Sequence, residues 1–232
     1  MVRTQDELKR MAAHRAVEEV QSGMVLGLGT GSTATYAIQR IGELWRRGSL
    51  VDLVCVPTSR QTAALAGGLG LPLGSIESHP RLDLAIDGAD EVDPELDLIK
   101  GLGGALLWEK RVESAADRLI IIVDEGKLVE RLGQKSPLPV EVTVAAWKTL
   151  LPWLEGLGCE PQLRGGAEAP YITDNGNAIV DCRFADGISD ANSVAVELDG
   201  HPDVTAHGLF LGMASSVVVA RGLGVRVLER KS

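Results

Sequence analysis

The run Leu119-Ile120-Ile121-Ile122-Val123, closed by Asp124, constrains the fold more than any other part of the chain. A strand that is apolar on both faces must be covered on both faces, which is the situation of an inner strand in a parallel sheet flanked by helices. Three further segments read the same way. Met24 to Leu28 leads into glycines, Val51 to Val56 stops at Pro57, and Leu82 to Ile86 runs into Asp87. Helix-compatible stretches separate them. Thr4 and Glu7 form a Thr-x-x-Glu capping box ahead of Leu8, Met11, Ala12, Val17 and Val20, which predicts an amphipathic opening helix. Ser32 to Trp45, Ser59 to Leu69 and Ala105 to Ala116 are the next helical segments, and Leu96 to Ile99 is a short strand before the last of them. Strand and helix alternate, so the expected class is α/β with a mostly parallel sheet.

The texture changes near Ser136. Pro137 and Pro139 break the pattern, Val140 to Val144 reads as a strand, and Ala145 to Leu157 reads as a helix. Asn175-Gly176 lies between apolar runs within Tyr171 to Val180, a hairpin signal because both turn residues tolerate positive φ. The strand-like stretches Leu209 to Met213, Val217 to Ala220 and Val225 to Leu228 are expected to return to the first sheet. The expected organisation is therefore a parallel-sheet domain at 1–135 and 205–232, with a smaller α+β domain at 136–204 inserted near the C-terminus.

Composition removes several function classes. With 232 residues, 45% of them apolar and 24% charged, the chain is an ordinary globular protein. Its net charge of −9 opposes sequence-independent binding to nucleic acid or to an acidic membrane surface, which needs a surplus of Lys and Arg. No apolar run reaches membrane-spanning length, and the start is charged from Arg3 onward, unlike a secretory signal, so a cytoplasmic location is expected. Cys55, Cys159 and Cys182 are odd in number and far apart, which suits buried, reduced thiols. His14, His79, His201 and His207 have no zinc-ligand spacing, so a transition-metal site is not expected.

Four segments can carry chemistry. Gly27-Leu28-Gly29-Thr30-Gly31-Ser32-Thr33-Ala34 joins a strand to a helix, where free N–H groups and the helix dipole favour an anion. Ser32 occupies a glycine position of the dinucleotide fingerprint and the second strand lacks a terminal acid, which disfavours NAD. A P-loop lysine is also missing. The bare alternative is a glycine turn that packs strand on helix. Asp87-Gly88-Ala89-Asp90-Glu91-Val92-Asp93 follows a strand and delivers acids to the carboxyl edge of the sheet. Asp87 and Asp90 are the candidates there for contact with a polyol, and Glu91 and Asp93 read as solvated. Lys100 through Lys110 combines a lysine, a glycine-rich turn and a helix bearing Glu109, a set able to supply a cation, backbone donors and a base. Taken alone, Glu109 beside Lys110 is more often surface decoration. Asp124-Glu125-Gly126-Lys127 places a lysine just past a strand, where it can hold a phosphate or simply face water.

These segments, in this order, resemble the type A ribose-5-phosphate isomerases over nearly the whole chain. The resemblance also takes in Gln5 to Lys9, Pro139 to Val142, Thr173 to Asn177 and His207 to Phe210. It implies interconversion of ribose 5-phosphate and ribulose 5-phosphate through a cis-enediolate, with Glu109 moving the proton between C1 and C2. By the same resemblance, Asp87, Asp90 and Lys100 contact the sugar oxygens, Asp87 being a candidate for assisting ring opening and Lys100 for stabilising the developing oxyanion. Ser32, Thr33, Lys127 and Lys9 would meet the phosphate, with Thr30 and the Gly31 backbone lining the loop. The family implies a Rossmann-like domain with a smaller α/β domain, no organic cofactor, no metal, and a homodimer or tetramer. Leu102 and Asp124-Glu125-Gly126 depart from its usual residues. A non-catalytic sugar-phosphate sensor on a related fold is the alternative, and it would not need Glu109.

Overall fold

The computed structural model describes residues 3–222 and 224–230. In chain order the elements are α1 (Gln5–Val17), β1 (Val25–Leu28), α2 (Ser32–Arg46), β2 (Val54–Pro57), α3 (Arg60–Gly68), β3 (Leu84–Asp87), β4 (Glu91–Val92), β5 (Leu98–Ile99), α4 (Leu106–Ser114) and β6 (Leu119–Asp124). There follow β7 (Leu138–Val142), α5 (Trp147–Gly156), β8 (Glu160–Leu163), β9 (Ala178–Arg183), α6 (Ala191–Gly200), β10 (Val204–His207), β11 (Leu209–Phe210), β12 (Ser216–Arg221) and β13 (Gly224–Glu229). The chain divides into two compact units, one comprising Met1–Ala89, Trp108–Lys127 and Met213–Ser232, the other Asp90–Leu107 and Leu128–Gly212.

The larger unit is built on a six-stranded sheet of order β13-β12-β6-β3-β1-β2. β1, β2, β3, β6 and β12 run parallel to their neighbours, and only β13 is antiparallel, on β12. The apolar run of β6 is buried from Leu119 to Val123, as its composition requires. Leu26, Leu28, Ile120 and Ile122 join Ala12, Ala13, Ala16 and Val17 of α1 in one core. The alanines let α1 lie close to the sheet, and the capping box on Thr4 and Glu7 fixes where it starts. Val56, whose neighbour Cys55 belongs to that first core, instead packs with Leu82 and with Val112 of α4. Because successive residues of a strand point to opposite faces, α4 covers the other side of the sheet.

The smaller unit contains an antiparallel sheet of order β10-β7-β9-β8 and a three-stranded ribbon of order β11-β5-β4. Val140, Val142, Val180, Leu150, Leu154 and Leu198 lie in its core. The structure differs from expectation at three places. Leu209 and Phe210 pair with Ile99 and Leu98 in the small ribbon, so of the three C-terminal stretches only β12 and β13 return to the large sheet. The smaller unit also takes in 90–107, 128–135 and 205–212, all expected in the larger domain. The Asn175-Gly176 turn forms, with Gly176 at φ +81°, but its first arm is a single bridge from Ile172 to Ala178, and β9 pairs instead with β7 and β8.

Cys55, Cys159 and Cys182 are buried and free. Burial pushes the Cys55 thiol up to about 12, which leaves it protonated and unreactive near neutral pH. No described helix is long and apolar enough to cross a membrane.

Candidate active site

The strand order places a topological switch between β1 and β3. From β1 the chain moves outward to β2, then returns past β1 to β3 and continues to β6 on the other side. Open parallel sheets bind ligands at such a point, beyond the carboxyl ends of the strands. The glycine loop follows β1, Asp87 ends β3, and Lys127 closes the 3-10 turn Glu125–Lys127 after β6. Three of the four segments singled out from sequence thus supply residues to one edge of one sheet.

The loop and Asp87 are built into each other. Asp87 is fully buried, and its Oδ1 accepts from the backbone N–H of Thr30 at 3.0 Å and of Gly88 at 2.6 Å. A Cβ on Gly29 would lie 2.1 Å from the Asp87 carboxyl carbon, so only glycine allows the approach. The loop is held from its other side by hydroxyls. Thr30 Oγ1 lies 2.7 Å from Thr58 Oγ1 and 3.1 Å from Thr62 Oγ1, and it donates to Ser59 Oγ at 2.8 Å. Thr62 and Thr58 in turn donate to the carbonyls of Gly29 and Leu28. Thr30 therefore ties the loop to Asp87 through its backbone and to the start of α3 through its side chain. Gly31, at φ +112°, is the N-cap of α2 and makes no side-chain cap. Ser32 is exposed and Thr33 half-buried at the first turn, where helix N–H groups attract an anion.

Glu109 and Glu113 are both buried on α4, 5% and 3% exposed, and one ligand atom from each lies within 4.8 Å of the others and of Asp87. Such a trio can share protons or grip a cation. Glu113 was not a sequence candidate, although its spacing of one helical turn from Glu109 was a usable signal. The hydroxyl cluster at Thr58, Ser59 and Thr62 was also missed; a Pro-Thr-Ser stretch at a strand end was its only trace. Lys9, on α1, is mostly covered, with Nζ 4.0 Å from Asp6 Oδ1. Lys127 is half-buried, and the turn before it is closed by Gly126 N–H donating to Asp124 Oδ1 at 2.9 Å.

Asp90 and Lys100 belong to the smaller unit. Asp90 Oδ2 accepts from Leu102 N–H at 3.0 Å. Lys100 is 3% exposed, with Nζ 5.5 Å from the centroid of the Phe210 ring. Glu91 and Asp93 correct the expectation of solvated acids. Glu91 is fully buried and accepts from Gly133, Lys135 and Ser136 N–H groups at 2.5–2.6 Å. Asp93 is half-buried, accepts from the N–H groups of Glu95 and Asp97, and is pushed up to about 6 by burial.

Residues 54–224 match the family model described as ribose 5-phosphate isomerase A (phosphoriboisomerase A). The ribose-5-phosphate isomerase A of Roseiflexus castenholzii is 50% identical over 222 residues, covering 95% of this chain and 94% of that one. A probable ribose-5-phosphate isomerase 2 of Arabidopsis thaliana is 51% identical over 233 residues, covering 98% of this chain and 88% of the relative. The solved structure of a D-ribose-5-phosphate isomerase in complex with phospho-erythronic acid matches with a TM-score of 0.95 at 43% identity, covering 98% of this chain and all of the other.

Proposed function

The chain belongs to the ribose 5-phosphate isomerase A family and interconverts ribose 5-phosphate and ribulose 5-phosphate, a step of the pentose phosphate pathway; we propose that Glu109 is the group that carries the proton. One observation supports this most. A buried glutamate stands against the Asp87 carboxyl, which ends the strand at the switch point of the sheet. Glu109 is 5% exposed and its carboxylate lies within 4.8 Å of those of Asp87 and Glu113, a placement from which a carboxylate can take and return a substrate proton. A sensor would have no use for such a base, and that reading is not favoured.

In the proposed reaction Glu109 takes the proton from C2 of the open-chain aldose and returns it to C1, and the reverse reaction uses the same group. Asp87 assists ring opening, and its two N–H donors keep it in place for the task. Asp90 and Lys100 are assigned to the sugar oxygens by the family motif, Lys100 stabilising the oxyanion as it forms. The phosphate is assigned to the first turn of α2, at Ser32, Thr33 and the Gly31 backbone, together with Lys127 and Lys9. Thr30 shapes that loop. Phospho-erythronic acid, held by the structural relative, is itself a phosphorylated sugar acid. We further propose a homodimer, the assembly that the family resemblance implies, and a cytoplasmic location.

Two kinetic results test the phosphate assignment. Lys127→Ala should raise KM for ribose 5-phosphate about 10- to 150-fold, because a charge-assisted bond contributes ~1.5–3 kcal/mol, with kcat much less affected. An unchanged KM would place Lys127 outside the phosphate site. Ribose without its phosphate should lose kcat as well as affinity, since binding at the remote anion helps hold C1 and C2 against the base. Equal kcat for the two sugars would remove that link.

A further inference from the structure

The loop after Lys100 is rich in glycine, with Gly101 at φ +100° and Gly104 at φ +82°. Left to itself such a segment samples many conformations, yet the proposed chemistry needs it in one. Within the smaller unit it is held by Arg164, a residue that no sequence motif singled out. Arg164 Nη1 donates to the carbonyls of Gly101 at 3.2 Å and Leu102 at 3.0 Å. Its Nε and Nη2 form a two-pronged ion pair with Asp181 at 2.8 and 2.5 Å, and the paired side chains are only 16% and 21% exposed. The guanidinium is therefore fixed by one edge and grips the loop with the other. Tyr171 packs near it, 5.7 Å from ring centroid to Arg164 Cζ, and a Cβ on Gly104 would lie 2.3 Å from the Tyr171 hydroxyl.

The grip has a directional consequence. In a planar trans peptide the carbonyl and the following N–H point in opposite directions. Holding the Gly101 and Leu102 carbonyls thus sets the N–H vectors of Leu102 and Gly103, and the Leu102 N–H is the one that reaches Asp90 Oδ2. Lys100, immediately upstream, is tied through its own N–H to the Gly208 carbonyl at 2.9 Å.

We propose that Arg164 is a positioning residue for the isomerisation, locking the loop so that Asp90 and Lys100 meet the sugar in a fixed arrangement. This rests on the assignment of those two residues to the sugar oxygens. It requires no contact between Arg164 and the substrate.

The test compares Arg164→Lys and Asp181→Asn with the parent enzyme. Lysine keeps the charge but cannot hold Asp181 and two carbonyls in one plane. Arg164→Lys should lower kcat ~10- to 100-fold, with KM moving far less. Affinity for phospho-erythronic acid should fall with kcat, while inhibition by inorganic phosphate stays within about twofold of the parent, because the anion loop is untouched. Asp181→Asn leaves the guanidinium but removes the charge that orients it, and should show the same pattern at smaller amplitude, which keeps the test open if Arg164→Lys folds poorly. A kcat within about twofold of the parent in both variants overturns the proposal, and so does a parallel loss of kcat and phosphate affinity, which marks general structural damage. Failure of the Glu109 assignment would appear separately, as turnover retained by Glu109→Gln.

Discussion

Glu109→Gln should lower kcat by ~10²- to 10⁴-fold, the range of a positioned general base, while KM and the affinity for phospho-erythronic acid change little. The amide keeps the shape and volume of the side chain inside a site where Glu109 is only 5% exposed, but it cannot accept a proton. It also takes one potential negative charge out of the trio with Asp87 and Glu113. The variant should therefore keep the parent's fold. That separates the effect from damage: the melting temperature stays close to the parent's as turnover is lost. Turnover close to the parent's, measured as ketose formed from ribose 5-phosphate, would remove Glu109 from the chemistry.

Glu91→Ala should have the largest effect on stability. The Glu91 carboxylate is fully buried and accepts three backbone N–H bonds, from Gly133, Lys135 and Ser136, which shape the turn leading into β7. Removing it strands three donors, each costing about 1–3 kcal/mol if water does not replace the carboxylate. A loss of roughly 3 kcal/mol or more follows, or about 6–12 °C in melting temperature for a chain of this size. Gln should recover part of the loss, since its carbonyl oxygen can keep the two bonds from Lys135 and Ser136 while its NH₂ group faces the Gly133 N–H. Calorimetry that puts Glu91→Ala within about 2 °C of the parent would show that these bonds contribute little net stability.

How far the sequence could be read depended on whether a feature is local. The run at Leu119 to Val123, the capping box at Thr4 and Glu7, and the glycine loop after Leu28 each state their structure within a few residues. The six-stranded sheet and the placement of Asp87, Lys127 and the loop at one edge follow from them. What was hidden is made by long-range pairing. β4, β5 and β11 are two residues each, too short to show a period, and only their mutual pairing reveals that 90–107 belongs with the smaller unit. Glu91 sits in an acidic stretch that looks solvated, and nothing local indicates that three N–H groups some 40 residues later close over it. α6 and β8 lack a distinctive pattern and were not anticipated. Arg164 and Asp181 are 17 residues apart and form a pair only because β8 and β9 are adjacent. Glu113 is the exception among the missed residues, since i+4 spacing from Glu109 on a helix places both on one face.

The claim that one buried carboxyl moves a proton between adjacent carbons is tested most directly by following ribose 5-phosphate in D₂O by NMR with the parent enzyme and with Glu109→Gln. The parent should form ribulose 5-phosphate with deuterium appearing at C1 of the ketose, and Glu109→Gln should bind the sugar phosphate but give neither ketose nor exchange on the same timescale. Ketose formation and C1 labelling by the variant at the parent's rate would contradict the account.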